Sequence, residues 1–166
     1  MACRMVGVEH LCVSGFDARF DRFARRATPQ RMPRAVEGMP GLFVVDATWG
    51  RIAPMALAPG VQTVGELEVI EHLRAGGGCI DCRQPEYFAE GSLPGAVNVP
   101  HQWILERLGT LDAERRAVVF CNGPQCTATP QAVAALLEAG CPAGALLYYR
   151  GGIHDWVTLG LPLQRP

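Results

Sequence analysis

Two rhythms of apolar and polar positions run through residues 61–163, and the switches between them lay out the elements. Ala117–Phe120 is a short continuous apolar run that reads as a strand buried on both faces, and Cys79-Ile-Asp-Cys82, Ala96–Val99 and Ala145–Tyr149 read as further short strands. Between them apolar residues recur at helical spacing. Leu67, Ile70 and Leu73 predict a helix running to Ala75, opened by a capping box in Thr63-Val-Gly-Glu66 and ended by Gly76-Gly-Gly78. Glu86–Glu90 predicts a helical turn and Gly91–Gly95 a loop. His101–Leu108 predicts a helix with Trp103, Ile104 and Leu108 on one face, and Asp112–Arg116 a charged turn. Val133, Leu136 and Leu137 mark a further helix that Gly140 stops. Gly151–Val157 leads into a last short helix, closed by Gly160-Leu-Pro162. Strands alternating with helices imply an α/β fold with a parallel sheet.

Residues 1–60 follow neither rhythm and read as an N-terminal extension. Phe16, Phe20 and Phe23 predict a short amphipathic helix over Phe16–Arg26, and Thr28–Pro40 reads as a linker. Leu42–Val45 is an apolar strand that needs a partner: the main sheet, an added hairpin or another subunit. Arg51–Gly60 reads as irregular, and Trp49 and Met55 as packing residues. The first 35 residues hold seven Arg against Glu9, Asp17 and Asp21, which fits a docking helix or arm better than a basic patch for an acidic partner, lipid headgroup or nucleic acid.

The totals narrow the choice of function. A chain of 166 residues with 49% hydrophobic residues can build one ordinary domain with a real core. Its net charge of −1 gives no reason to expect nucleic acid or a membrane as partner, and no apolar run is long enough to span a bilayer. Met1–Ser14 lacks the apolar stretch and cleavage site of a secretory leader. Seven cysteines, an odd number in a chain of this size, argue against a disulfide scaffold and for a reducing, cytoplasmic setting. Cys79 and Cys82 have C-x-x-C spacing, but no second ligand pair accompanies them, and they read as core cysteines.

The chemistry gathers around Cys121. It falls where the apolar run Ala117–Phe120 ends, before the turn residues Asn122, Gly123 and Pro124. Thr127 or Thr129 then caps a helix whose first turn accommodates Pro130. Ligands of open α/β sheets bind beyond the carboxyl ends of the strands, where loop amides and a helix N-terminus favour negative charge. A thiol there is expected to have a lowered pKa and to serve as a nucleophile or sulfur carrier; the competing reading is a buried cysteine acting as a small hydrophobe. Cys126, in the same loop, is a candidate resolving cysteine, a partner in binding a soft metal, or a plain loop residue. Of the histidines, His10, His72, His101 and His154, only His101 is expected near the mouth of the site, and no Cys–His dyad is proposed.

Three segments, in this order, resemble the rhodanese-like sulfurtransferase family over residues 61–163. They are Ile80-Asp-Cys-Arg-Gln-Pro-Glu-Tyr87 leading into Gly91-Ser-Leu-Pro-Gly-Ala-Val-Asn-Val-Pro100, then Val118-Val-Phe-Cys121, then Tyr149-Arg-Gly-Gly-Ile-His-Asp-Trp156 with Gly160-Leu-Pro162. The resemblance implies a rhodanese-like domain over 61–166, with a parallel sheet flanked by helices on both sides. It implies that Cys121 is catalytic, taking sulfane sulfur as a persulfide and passing it to a thiol. Asn122, Gly123, Pro124, Gln125, Cys126 and Thr127 would form the loop that binds the persulfide, while Asp81 and Arg83 would be structural. No cofactor and no metal is implied. The partners would be a small-molecule sulfur donor, such as thiosulfate, a polysulfide or a persulfide, and a small thiol or protein cysteine as acceptor. Many active members carry a basic residue near the end of this loop; here Cys126 holds that place and the loop has no charge. Six positions after Cys121 stands Thr127, not the Arg of the related phosphatases, so phosphate chemistry is not expected. Two other functions compete: a catalytically weak interaction module, and a redox or soft-metal sensor built on Cys121 and Cys126.

Overall fold

A computed structural model describes residues 32–44, 53–110 and 115–166. The expected helix Phe16–Arg26, Trp49, and most of the Asp112–Arg116 turn lie outside the described residues. The elements follow in the order β1 (Arg34–Ala35), β2 (Phe43–Val44), β3 (Gln62–Val64), α1 (Glu66–Arg74), β4 (Gly78–Asp81), α2 (Pro85–Ala89), β5 (Val97–Asn98), a 3₁₀ helix (His101–Thr110), β6 (Ala117–Phe120), α3 (Ala128–Glu138), a 3₁₀ turn (Ala143–Ala145), β7 (Leu146–Tyr149) and α4 (Gly152–Thr158).

Five strands make a parallel sheet in the order β3-β7-β6-β4-β5. Its centre is β6, whose four residues are all buried. Because successive side chains point to opposite faces, the alternation along β6 builds two cores. Ala117 and Val119, continued by Cys121, join Ile80, Leu146 and Tyr148 under Ala132, Val133 and Leu136 of α3 and Ile104 of the 3₁₀ helix. Val118 and Phe120 join Cys79, Leu147 and Tyr149 under Val69 of α1 and Ile153 and Trp156 of α4. The sheet is thus covered by helices on both sides, as expected.

Several details depart from the sequence reading. Thr63 lies in β3, a strand the apolar pattern did not predict, and the cap falls two residues later, where the Gly65 N–H donates to Glu68 Oε2 at 3.1 Å. The preceding three residues pair with β7 instead of coiling, since sheet hydrogen bonds satisfy their backbone. In α1 the buried residue is Val69, whereas Leu67 is 74% exposed. Trp103 and Met55, expected to pack, are exposed, and Ile104 alone of its predicted face is shown buried. The supposed linker contributes β1, which pairs antiparallel with β2, so the apolar strand at Phe43–Val44 finds its partner in an added ribbon.

One buried ion pair locks the end of β4 to the loops around it. Asp81 and Arg83 are fully buried, and the Arg83 Nη2 donates to Asp81 Oδ2 at 2.6 Å. The same carboxylate accepts from the Arg83 Nε and backbone N–H and from the Ser92 hydroxyl at 2.7 Å. Arg83 Nη2 also reaches the Gly91 carbonyl at 2.7 Å, and Asn98 Nδ2 bonds the Asp81 and Arg83 carbonyls. Asp81 and Arg83 are therefore structural. Asp81→Asn leaves a buried guanidinium without its counter-charge and is expected to destabilise the fold by about 3–5 kcal/mol, read as a fall in the denaturation midpoint.

Candidate functional site

The site is the loop between β6 and α3, at the carboxyl end of the central strand. Cys121 and Cys126 are 4% and 2% exposed, so both thiols are enclosed. The Cys126 N–H donates to the Gly123 carbonyl at 2.9 Å, a turn that curls the loop back toward its start. Thr127 occupies the cap position of α3, although its hydroxyl makes no capping bond. Thr129 is buried on the first turn, against the thiols of Cys82 and Cys121.

Two backbone bonds fasten this loop to α4. Ile153 N–H donates to the Cys121 carbonyl at 3.1 Å and His154 N–H to the Asn122 carbonyl at 3.0 Å. The close approach requires Gly152, at φ +60: a Cβ there would stand 2.8 Å from Asn122 C and Gly123 N, and closer still to the Cys121 carbonyl. Gly123 faces the same crowding from the other side, where a Cβ would lie 3.2 Å from the Gly151 carbonyl. Asn122 Nδ2 lies 3.2 Å from His154 Nε2. From the N-terminal side, Ala53 N–H donates to the Pro124 carbonyl at 2.6 Å, and the Ala53 carbonyl accepts from Arg150 Nε at 3.0 Å.

The electrostatics of the two thiols are opposite, and not as the sequence suggested. Burial pushes the Cys121 thiol well above its ordinary value, and the hydrogen bond it donates to Cys126 adds to the effect. Cys126 is lowered, first by that same bond and then by the Asn122 and Ala128 N–H groups directed at its sulfur. Thr129, through its hydroxyl and N–H, supports an anion on Cys121. The expectation of a lowered pKa at Cys121 is therefore overturned: burial raises that thiol, and the lowered one is Cys126. Proximity to a helix start is outweighed at Cys121 because desolvation is the larger effect there. Burial likewise raises Cys82 and Tyr148, both of which face the Cys121 thiol.

The structure brings Cys121, Asn122, Gly123, Pro124, Gln125, Cys126 and Thr127 into one loop, as its contiguity in sequence requires. It adds Cys82, Thr129, Tyr148 and His154, which the sequence reading had not placed at the site. Thr129 was legible only as a capping candidate. His154 arrives because α4 docks on the loop from the far end of the chain. His101 instead opens the 3₁₀ helix, its Nδ1 buried without a hydrogen-bond partner, and His72 bonds the Gly78 carbonyl on α1's own side. Cys79 and Cys82 are buried free thiols on opposite faces of the sheet, in keeping with a core role for the C-x-x-C pair. Among the described residues no group of three or more His, Cys, Asp and Glu is placed to hold a metal ion, and no helix is long and apolar enough to cross a membrane.

The fold is that of an α/β domain whose helix-flanked parallel sheet carries a cysteine loop at the end of its central strand. The rhodanese-like domain family matches residues 67–159, and the chain belongs to that family. A sulfurtransferase of Allochromatium vinosum is 33% identical over 87 residues, which cover 52% of this chain and 78% of that protein. The HTH-type transcriptional regulator Rv0324 of Mycobacterium tuberculosis is 33% identical over 85 residues, 51% of this chain; the match spans only 36% of that protein's length. The crystal structure of a thiosulfate sulfurtransferase from Pseudomonas aeruginosa superposes with a TM-score of 0.54 at 25% identity, covering 63% of this chain and 20% of that one. Together these support a function of the sulfurtransferase type.

Two measurements check this description. Gly152→Ala is expected to cost about 3 kcal/mol, from overpacking against the Cys121 carbonyl added to the strain of positive φ. Gly160→Ala, also at positive φ (+73) but with nothing within 4 Å, is the control: it should cost only about 1–2 kcal/mol in the same thermal melts. The second is a pH series. Above the ordinary thiol value of 9.0 the unfolded chain releases thiol protons that Cys79, Cys82 and Cys121 retain in the fold, so stability falls as pH rises past that value. Cys126 acts with the opposite sign: its contribution is complete above 9.0 and is lost as pH falls through its lowered folded value. A titration of thiolate absorbance should show one ionisation below 9.0, abolished in Cys126→Ser.

Proposed function

We propose that the protein is a sulfurtransferase or persulfide carrier in which Cys121 accepts sulfane sulfur and a thiol receives it. The observation that carries this reading is a pair of buried cysteines in one curled loop, the first of them directly after the central strand. The reactive form in this scheme has its charge on Cys126, whose ionisation is favoured, and its proton on Cys121. As a donor enters, the proton passes to Cys126, and the Cys121 sulfur attacks the outer sulfur of the donor, whose remaining part leaves as a thiolate. Amides of the Asn122–Thr129 segment then stabilise the persulfide anion, as oxyanion-hole donors stabilise an alkoxide. Asn122, Gly123, Pro124, Gln125, Cys126 and Thr127 are the binding loop in this scheme.

The uncharged loop suits a persulfide or polysulfide donor better than the thiosulfate dianion, which would be desolvated without a counter-charge from the loop. A small thiol of the glutathione type or a protein cysteine is the acceptor. No cofactor is invoked, and a reducing, cytoplasmic setting is part of the proposal because the chemistry needs free thiols. The match to a transcriptional regulator favours a second reading, in which the same domain is a module whose thiol state is read by a partner.

The test is donor consumption by the full chain, with glutathione present as acceptor, supplied with inorganic polysulfide and separately with thiosulfate. Wild type is expected to consume polysulfide faster than thiosulfate, and Cys121→Ser to fall to the uncatalysed rate. Equal rates for wild type and Cys121→Ser would overturn the proposal and leave the module reading.

A further inference from the structure

We propose that Cys126 resolves the persulfide formed on Cys121, so that the site releases sulfide and closes a Cys121–Cys126 disulfide; the inference rests on the sulfurtransferase reading above. It gives the protein a second outcome for bound sulfur, reduction in place of transfer.

The placement of the two sulfurs makes this step available. The bond from the Cys126 N–H to the Gly123 carbonyl folds the sixth residue of the loop back over the first. The two cysteines that result are buried in the same core cluster, and each thiol shifts the other's ionisation. Both are buried, so an external thiol has to enter to reach the persulfide, whereas Cys126 is already beside it. Intramolecular attack from a fixed position has a large advantage in effective concentration over attack by a free thiol. Cys126 also has the amides of Asn122 and Ala128 to hold its thiolate, which no core cysteine of this chain is shown to have. Soft-metal binding, the other use of such a pair, finds no third ligand among the described residues.

The chemistry balances without an added oxidant. The persulfide anion is Cys121–S–S⁻, and Cys126 carries the proton it took from Cys121. The Cys126 sulfur attacks the Cys121 sulfur; the Cys121–Cys126 bond forms, the bond to the outer sulfur breaks, and the outer sulfur leaves as HS⁻ with the Cys126 proton. The sulfane sulfur is reduced by two electrons, and the cysteine pair is oxidised by two. A dithiol reductant or two equivalents of a small thiol then reopen the disulfide by exchange.

The experiment treats the full chain with one equivalent of glutathione persulfide, free of excess thiol, and measures released sulfide and intact mass. Wild type is expected to release one equivalent of sulfide and to lose the mass of two hydrogens, with the disulfide mapped to the Cys121–Cys126 peptide. Cys126→Ser is expected to release none and to keep a gain of one sulfur on Cys121. Cys126→Ala, which removes the polar side chain altogether, repeats the measurement should the Ser variant fold poorly. Wild type that keeps the sulfur adduct as the variants do would overturn this inference and leave the sulfurtransferase reading intact. Failure of every protein to take up sulfur would remove that reading itself, and this inference with it.

Discussion

Two backbone hydrogen bonds, from Ile153 and His154 of α4 to the carbonyls of Cys121 and Asn122, hold the site in shape. The need for them is set by burial. Beyond Phe120 the chain leaves the ladder of the sheet while still enclosed, and its carbonyls need partners that water cannot supply. The start of α4 supplies them, and only because Gly152 lets the two backbones meet. The Asn122 and Ala128 N–H groups favour an anion on Cys126, and that of Thr129 one on Cys121.

The distribution of charge follows the same economy of solvation. The fully buried ion pair, Asp81 with Arg83, sits at the end of the neighbouring strand and spends its hydrogen bonds on the Ser92, Gly91 and Asn98 connections. It stiffens the carboxyl edge of the sheet without contributing charge to the thiol loop. Within that loop the anion is sustained by amides and a neighbouring thiol, which are dipoles of fixed direction. A site of this kind holds one negative charge spread over sulfur well. On the proposed reading it disfavours a dianionic donor, because dipoles alone do not offset a second charge.

Two thiols sharing one proton titrate as a unit, and the position of the charge can move between them as the proton moves. In the proposed scheme that mobility supplies a nucleophile at Cys121 when the donor arrives and a proton to give away when sulfur departs. Tyr148 and Cys82 lie in the same buried cluster as the pair, and burial raises both of them.

Much of this was written in the order of residues. The all-apolar run Ala117–Phe120 could only be an interior strand, Cys121 could only stand at its end, and Gly140 marked the stop of α3, because periodicity and turn chemistry are local properties. The three ordered segments pointed to the family that residues 67–159 belong to. Local pattern failed where distant chain intervened. Gln62–Val64 is a strand because β7 lies beside it, and Trp103 stays exposed among the described residues although its spacing predicted a packed face. Neither His154 against Asn122, nor Thr129 and Cys82 against Cys121, could be read from spacing, since their meeting depends on how α4 and β4 dock around the loop. Sequence determined that a cysteine would stand at the end of the central strand. Tertiary structure decided that burial raises the Cys121 thiol while Cys126 is lowered, because desolvation and the surroundings of each sulfur exist only once the loop has closed.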